Sequence, residues 1–374
     1  MFLRLGLTSF GGPVAHLGYF RTEFVERRAW FTERAYADLV GLCQFLPGPG
    51  SSQVGFALGL MRAGAWGGMA AWVGFTLPSA VLMGMFAVLA GRIDTPWGLA
   101  AVHGLKLVAV AVVAQAVWGM ARALCPDRTR ATLAVGAAGL AVLAPVSLGA
   151  ILAIGLGGLA GSVLCRGDPV TEDGGGMAVA VPRWVGAVCL AAFAVLLAVV
   201  LLAGGHAGVF GAFYRSGALV FGGGHVVLPL LRNAVVAPGW VPDGVFLAGY
   251  GAAQAMPGPL FTFAAFLGVV TAGLTGGMVA LGAIFLPGLL LVAGVLPFWD
   301  ALRRRTGAQA AIRGANAAVV GLLGAALYDP VWTGAVRNGQ DFVLALTGVV
   351  LLVTWRCPPL VVVGVLVAGA MLAH

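Results

Sequence analysis

Charge is what this chain lacks. Only 9% of its 374 residues are Asp, Glu, Lys or Arg, against roughly 25% in soluble globular proteins, and 60% are apolar. Lysine is nearly absent: Lys106 stands alone, so the formal charge of +8 rests on arginines. These are scattered singly at the ends of apolar runs, which excludes the basic stripe that nucleic-acid binding needs. Cys43, Cys125, Cys165, Cys189 and Cys357 have no paired spacing, so neither a disulfide framework nor a Cys-based metal site is indicated. Missing too are His-Glu-x-x-His, Gly-x-Ser-x-Gly, a Walker A loop and any pair of intramembrane carboxylates. An intramembrane enzyme therefore has little to support it, and no metal or organic cofactor is expected.

What is present is long uncharged stretches. No charged residue lies between Arg62 and Arg92, Arg130 and Arg166, Arg183 and Arg215, or Asp243 and Asp300. A membrane span needs only about 20 such residues, so the chain reads as an all-α integral membrane protein.

It also repeats itself. Phe10-Gly11-Gly12 returns as Phe221-Gly222-Gly223, with Phe2, Arg4 and Arg21 matching Phe213, Arg215 and Arg232. Gln44 and Pro47-Gly48-Pro49 return as Gln254 and Pro257-Gly258-Pro259; further on, Gly59, Gly64, Gly67, Pro78 and Gly104 match Gly268, Gly273, Gly276, Pro287 and Gly314. Each half divides into about six apolar segments, the first two near 2–20 and 36–61. The expected organisation is a first transmembrane repeat over 1–165, a polar linker with one extra transmembrane helix over 166–206, and a second repeat over 207–374. An odd linking helix after six crossings inverts the second copy, an arrangement typical of transporters. On this count Arg4, Arg62, Arg122 and Arg356 share a cytoplasmic face with the N-terminus, and the C-terminus is periplasmic. Arg21, Arg27, Arg28 and Arg34 then fall on the opposite face, against the positive-inside rule.

Gly-Gly and Pro-Gly-Pro inside apolar segments break helices and free backbone groups that lipid cannot satisfy, so such breaks face protein or a watery cavity. Ser51 and Ser52 after Pro47-Gly48-Pro49-Gly50 mark a new helix start, and helix N-termini attract anions. Gly11, Gly12, Gly48, Gly222, Gly223 and Gly258 are thus candidate substrate-binding positions, with Ser51 and Ser52. Close packing of helices is the bland alternative for any single glycine. Gln44 and Gln254, one turn before each Pro-Gly-Pro, could donate to an oxyanion or bridge helices. His16 and His225 follow the two Gly-Gly motifs and could donate to an anion or relay a proton. Lys106, with Asn316 at its repeat position and His103 one turn before it, is either an intramembrane substrate contact or a snorkelling cation. Arg4 and Arg215, repeat partners, suit basic vestibules that draw anions from either face.

These residues resemble the chromate ion transporter family, whose halves read Phe-Gly-Gly-Pro, then His, Trp and Gln-x-x-Pro-Gly-Pro. Here they are Phe10-Gly11-Gly12-Pro13, His16, Trp30 and Gln44 to Pro49, then Phe221-Gly222-Gly223-Gly224-His225, Gln254 to Pro259 and Tyr328-Asp329-Pro330. Gly224 replaces the proline of the first half, which argues against strict symmetry of the two sites. The resemblance implies export of chromate across a bacterial inner membrane, hence chromate resistance, with sulfate as a competitor because both are tetrahedral dianions. Sulfate or other oxyanion uptake or exchange is the alternative on the same fold. The expected partners are chromate, sulfate, the lipid bilayer and, as an assembly to consider, a second copy of the chain.

Overall fold

The computed structural model describes residues 1–10, 12–90, 96–143, 146–165, 181–220, 227–299 and 305–373, all helix or connection with no strand among them. The all-α expectation holds. In chain order the helices are α1 (Phe2–Thr8), α2 (Gly12–Arg21), α3 (Glu33–Phe45), α4 (Gly50–Ala90), α5 (Pro96–Leu124), α6 (Arg128–Leu143), α7 (Val146–Leu164), α8 (Arg183–Ala203), α9 (Gly208–Ala218), α10 (Val227–Val235) and α11 (Asp243–Ala255). They continue with α12 (Phe263–Val295), α13 (Thr306–Ala326), α14 (Gly339–Val353) and α15 (Pro359–Ala373). Local chemistry sets several starts: Thr32 caps α3 by accepting from Ala35 N, and Asn338 caps α14 by accepting from Asp341 N. Among the described residues five stretches are long and apolar enough to cross a membrane, including Pro96–Leu124, Arg183–Ala203 and Gln309–Ala335. Their outer faces carry exposed Leu89, Leu99, Leu202 and Leu274, as a lipid-facing surface requires.

The longest helices are not straight. α4 reverses at Ala63 (φ −145°, ψ 27°) and Gly64 (φ 66°, ψ −161°), and α12 reverses with nearly the same angles at Ala272 and Gly273. Gly64 and Gly273 have positive φ that a side chain would resist. The reversal brings Gly59 against the backbone of Gly67, and Gly268 against that of Gly276. Eight residues apart in a continuous helix would be about 12 Å. Each of these helices is therefore a short limb folded back on a long one, held by backbone contact that only glycine permits.

The preceding segments fold back as well. Phe2, at the start of α1, stacks on Phe24 just beyond α2 (5.0 Å) and meets Phe20 edge-on (6.2 Å). Arg62, at the end of the short limb of α4, lies 5.2 Å over the Trp30 ring, which Arg28 also approaches at 5.7 Å. Residues 2, 24, 28, 30 and 62 therefore share one end of the molecule. This corrects two expectations. The segments near 2–20 and 36–61 are not crossings but hairpins, α1 with α2 and α3 with the short limb of α4; arms of 7 to 13 residues are only about 10–20 Å long, short of a roughly 30 Å core. Arg62 also does not lie opposite Arg21 and Arg28 but beside them. Hydropathy measures apolar length and is blind to a chain that turns back between α1 and α2 or at Pro47-Gly48-Pro49.

The two halves interlock. α7 packs on α13, where Gly157 and Gly161 meet Gly314, and α15 packs on α5, where Gly104 meets Val367. The core between them is aromatic, with Phe20, Phe75, Phe213, Tyr214, Tyr250, Phe263 and Phe285 fully buried.

Candidate functional site

The hairpin tips of one half reach the other half. Gly48 N donates to Val220 O at 2.7 Å and Gly258 N donates to Ser9 O at 2.9 Å. Gly48 and Gly258 are repeat partners, and so are Ser9 and Val220, one residue before Phe10 and Phe221. Both glycines have positive φ, 129° and 95°, which aims the peptide N–H across the gap. The break motifs thus close a reciprocal pair of locks. Their glycine N–H groups are occupied by carbonyls, so the donors left over at these tips belong to the helix turns that follow.

Around the first lock lies a buried polar cluster. His16 is fully buried, with Nε2 3.2 Å from Ser9 O, Nδ1 3.2 Å from Ser51 Oγ and the Phe75 ring edge-on at 5.2 Å. A carbonyl only accepts, so Nε2 carries the proton and donates, leaving Nδ1 of the neutral ring to accept from the Ser51 hydroxyl. Ser9 O therefore receives both His16 and Gly258, tying the Phe-Gly-Gly motif of one half to the Pro-Gly-Pro motif of the other.

Gln53 was not anticipated. Buried one turn into α4, it donates from Nε2 to Pro47 O (2.9 Å) and to Gly288 O (3.3 Å) in the opposite half. Thr262 occupies the corresponding place in the second copy: its hydroxyl donates to Pro259 O at 2.8 Å and lies 2.6 Å from Ser79 Oγ in the first half. In the register that pairs Gly59 with Gly268, Gln53 matches Thr262 and Ser79 matches Gly288. The available signal was position, since both residues start the helix that follows a repeated break. Ser9 Oγ, Ser52 Oγ and Gln53 Oε1 are buried here without a hydrogen-bond partner, and the first N–H groups of α4 have no intrahelical acceptor. Buried polar groups are rarely left unsatisfied, so these mark the cluster as the candidate polar site.

His16, Gly48, Ser51, Ser52 and Gly258 are thus brought together. Gly12 opens α2 with a φ of 75°. Gly11, Gly222, Gly223 and His225 lie outside the described residues. Gln44 is exposed, whereas Gln254 is half-buried with an unpartnered Nε2. Lys106 belongs to a second cluster: its ammonium sits over Gly244 at the first turn of α11, where an added Cβ would lie 2.9 Å away. One turn earlier, buried His103 places Nε2 2.7 Å from Asp341 Oδ1, and Asp341 Oδ2 accepts from Arg337 N. That pair, 238 positions apart, had no sequence signal. Asn316, the repeat partner of Lys106, is half-buried with Oδ1 unpartnered. Arg4 is exposed and Arg215 half-buried. Among the described residues no group of His, Cys, Asp and Glu could hold a metal ion, and the five cysteines are free.

Broken hairpins that meet tip to tip at a buried polar centre, inside a shell of apolar helices, define the architecture of a membrane transport protein. A model of the chromate transporter family matches residues 1–162 and 207–373. The chain belongs to that family. It is 32% identical to a chromate transport protein of Pseudomonas aeruginosa, over 98% of this chain and 89% of that one. It is 29% identical to a chromate transport protein of Cupriavidus metallidurans (98% and 90%) and 26% identical to a probable chromate transport protein of Synechococcus elongatus (99% and 93%). No solved structure matches.

Proposed function

We propose that the protein exports a tetrahedral oxyanion, chromate above all, by alternating access at the hairpin tips. The observation that carries this reading is the reciprocal lock, Gly48 N to Val220 O and Gly258 N to Ser9 O. Each lock joins opposite halves at a polar centre, so a rocking of one half against the other would break one or both.

An inverted repeat supports alternation. With the two hairpins set aside, the first half crosses four times, by the long limb of α4, α5, α6 and α7. It therefore ends on the face where it began, and α8 carries the second copy to the opposite face. Contacts agree with this path: Arg313 near the start of α13 donates to Cys165 O at the end of α7 (3.0 Å), and Lys106 near the start of α5 meets the start of α11. The face with the N-terminus then gathers Arg4, Arg21, Arg28, Arg62, Arg122, Arg130, Arg183, Arg305 and Arg356, while the other keeps Arg215, Arg232 and Arg337. That bias makes the first face cytoplasmic, with the C-terminus outside and the chain in a bacterial inner membrane. Arg21 and Arg28 now obey the positive-inside rule, because the hairpins return them to the cytoplasmic side.

At the centre, the first turn of α4 with Ser51 and Ser52 would supply hydrogen bonds and a helix-end partial charge to the anion. His16 would position Ser51. An inside-negative potential favours exit of a dianion by about 4.6 kcal/mol per 100 mV, so efflux and the resulting chromate resistance need no nucleotide.

The test is flux of labelled chromate from liposomes holding the purified protein, under an imposed potential, with sulfate and phosphate as competitors. Chromate movement that follows the potential and is slowed by sulfate supports the reading. Sulfate carried in preference to chromate would shift it to sulfate exchange, and no oxyanion flux would refute it.

A further inference from the structure

Building on the oxyanion reading, we propose that Arg122 and Arg356 form a docking site for a tetrahedral dianion in a vestibule that leads from the cytoplasmic face to the hairpin tips. A cavity of about 870 Å³ opens between the first hairpin, the second half of α5 and the turn joining α14 to α15; Phe10, Tyr19, Gln115, Trp118, Arg122 and Arg356 are among its lining residues. Phe10 sets its inner end one residue from Ser9, whose carbonyl holds His16 and Gly258. The cavity thus lies between two exposed arginines and the residue next to Ser9.

Both arginines are prepared for an anion. The Arg122 guanidinium lies 4.8 Å over the Trp118 ring, a contact that holds one face of the cation and leaves its N–H edge for oxygen. Arg356 follows the end of α14 with a φ of 53°, in the left-handed region that glycine usually fills at helix ends. Such conformations cluster at ligand sites, and here one carries a charged side chain into the cavity lining. Among the described residues neither arginine forms an ion pair, and no Asp or Glu lines the cavity.

A neighbouring cavity of about 610 Å³ is lined by Arg4, Arg21, Arg27 and Arg28, but Glu23 lines it too. Arg27 and Arg28 pair with Glu23, and Arg21 with Glu26 and Glu33. Its charge is largely spent, whereas that of the Arg122 vestibule is not. The second copy differs in sequence here: in the register of Gly104 with Gly314, Tyr328 and Trp332 stand where the first half has Trp118 and Arg122. The funnel is one-sided, and it concentrates anions on the face from which they leave.

The experiment compares inverted membrane vesicles, whose cytoplasmic face meets the medium, containing the parent protein, Arg122→Gln with Arg356→Gln, Arg122→Lys with Arg356→Lys, or Arg130→Gln. Arg130 is already neutralised by Asp127 at 2.6 Å. Labelled sulfate and chromate uptake is measured against anion concentration at low and high salt. The glutamine pair is expected to raise KM about tenfold and to lose most of the salt dependence, with kcat within about twofold. The lysine pair should retain most of the salt dependence, and Arg130→Gln should behave as the parent. An unchanged KM and salt dependence in the glutamine pair, with the parent active, overturns the docking site alone. A glutamine pair that loses kcat with KM unchanged also overturns it. A parent protein that moves neither anion refutes the oxyanion reading and the docking site with it.

Discussion

The two halves of the chain share their scaffold and differ in their chemistry. Reversals at Ala63-Gly64 and Ala272-Gly273 have backbone angles within about three degrees of each other, and the glycine locks are exchanged reciprocally. Yet Gln53 stands where the second half has Thr262, Ser79 where it has Gly288, Lys106 where it has Asn316, and Arg122 where it has Trp332. What is duplicated is backbone geometry, which a two-state rocking mechanism needs in both copies. What has diverged is polar and charged side chains, which give a carrier a direction and a preferred ligand.

The sharpest way to break the shared scaffold is at a pair of repeated glycines packed on backbone. Gly217 packs against Ile284 O and its partner Gly6 against Phe75 O, where an added Cβ would lie 2.7 Å away and closer still at Gly217. Gly217→Val should prevent accumulation of folded protein, and Gly6→Ala should lower the melting temperature without abolishing folding, by about 1–3 kcal/mol; thermal unfolding in detergent would read both. Next in size is the His103–Asp341 pair, which joins the halves by side chains alone. His103→Ala leaves a buried carboxylate without its 2.7 Å partner, and unfolding should become easier by about 3–5 kcal/mol.

Within the centre, the comparison is sharpened by His16→Ala against Thr262→Ala. Removing His16 takes a donor from Ser9 O and an acceptor from the Ser51 hydroxyl, and flux should fall about tenfold to a hundredfold, in line with about 1–3 kcal/mol for stranded buried polar groups. Thr262→Ala leaves only Ser79 short of a partner and should cost less; flux in liposomes measures the difference. The smallest effect belongs to the arginine-rich end. A hydrogen bond from Arg28 holds the Glu23 carboxyl below its ordinary value, and the backbone N–H of Arg130 does the same for Asp127. The stability these groups contribute is present at neutral pH and is lost as pH falls through their depressed values. Because Asp127 is exposed and the half-buried Glu23 is paired with the exposed Arg27 and Arg28, the change in unfolding midpoint on acidification should be slight.

Much of this was legible in the sequence, because glycine and proline punctuate it. The all-α class, the repeated break motifs, and the meeting of His16, Gly48, Ser51, Ser52 and Gly258 all follow from residues whose backbone preferences leave few alternatives. Direction was not legible. Nothing in the apolar runs from 2 to 20 and from 36 to 61 says that the chain turns back between α1 and α2 and again at Pro47-Gly48-Pro49, so the sequence sets Arg21 and Arg28 on the face opposite Arg62, whereas Arg28 and Arg62 share the Trp30 ring. Gln53 was hidden by the Ser-Ser pair before it, and His103 with Asp341 by sequence separation. Arg122 and Arg356 read as ordinary end-of-helix anchors until a shared cavity joined them.

The most direct measurement is alkylation of a single cysteine, Ser52→Cys in an otherwise cysteine-free chain, by a membrane-impermeant reagent applied to sealed vesicles of either orientation. Ser52 is buried at the tips, 2% exposed. If the tips are the alternating site, the cysteine reacts from both faces, and sulfate or chromate slows the reaction from each. Reaction from one face only, or a rate indifferent to both anions, would contradict the account.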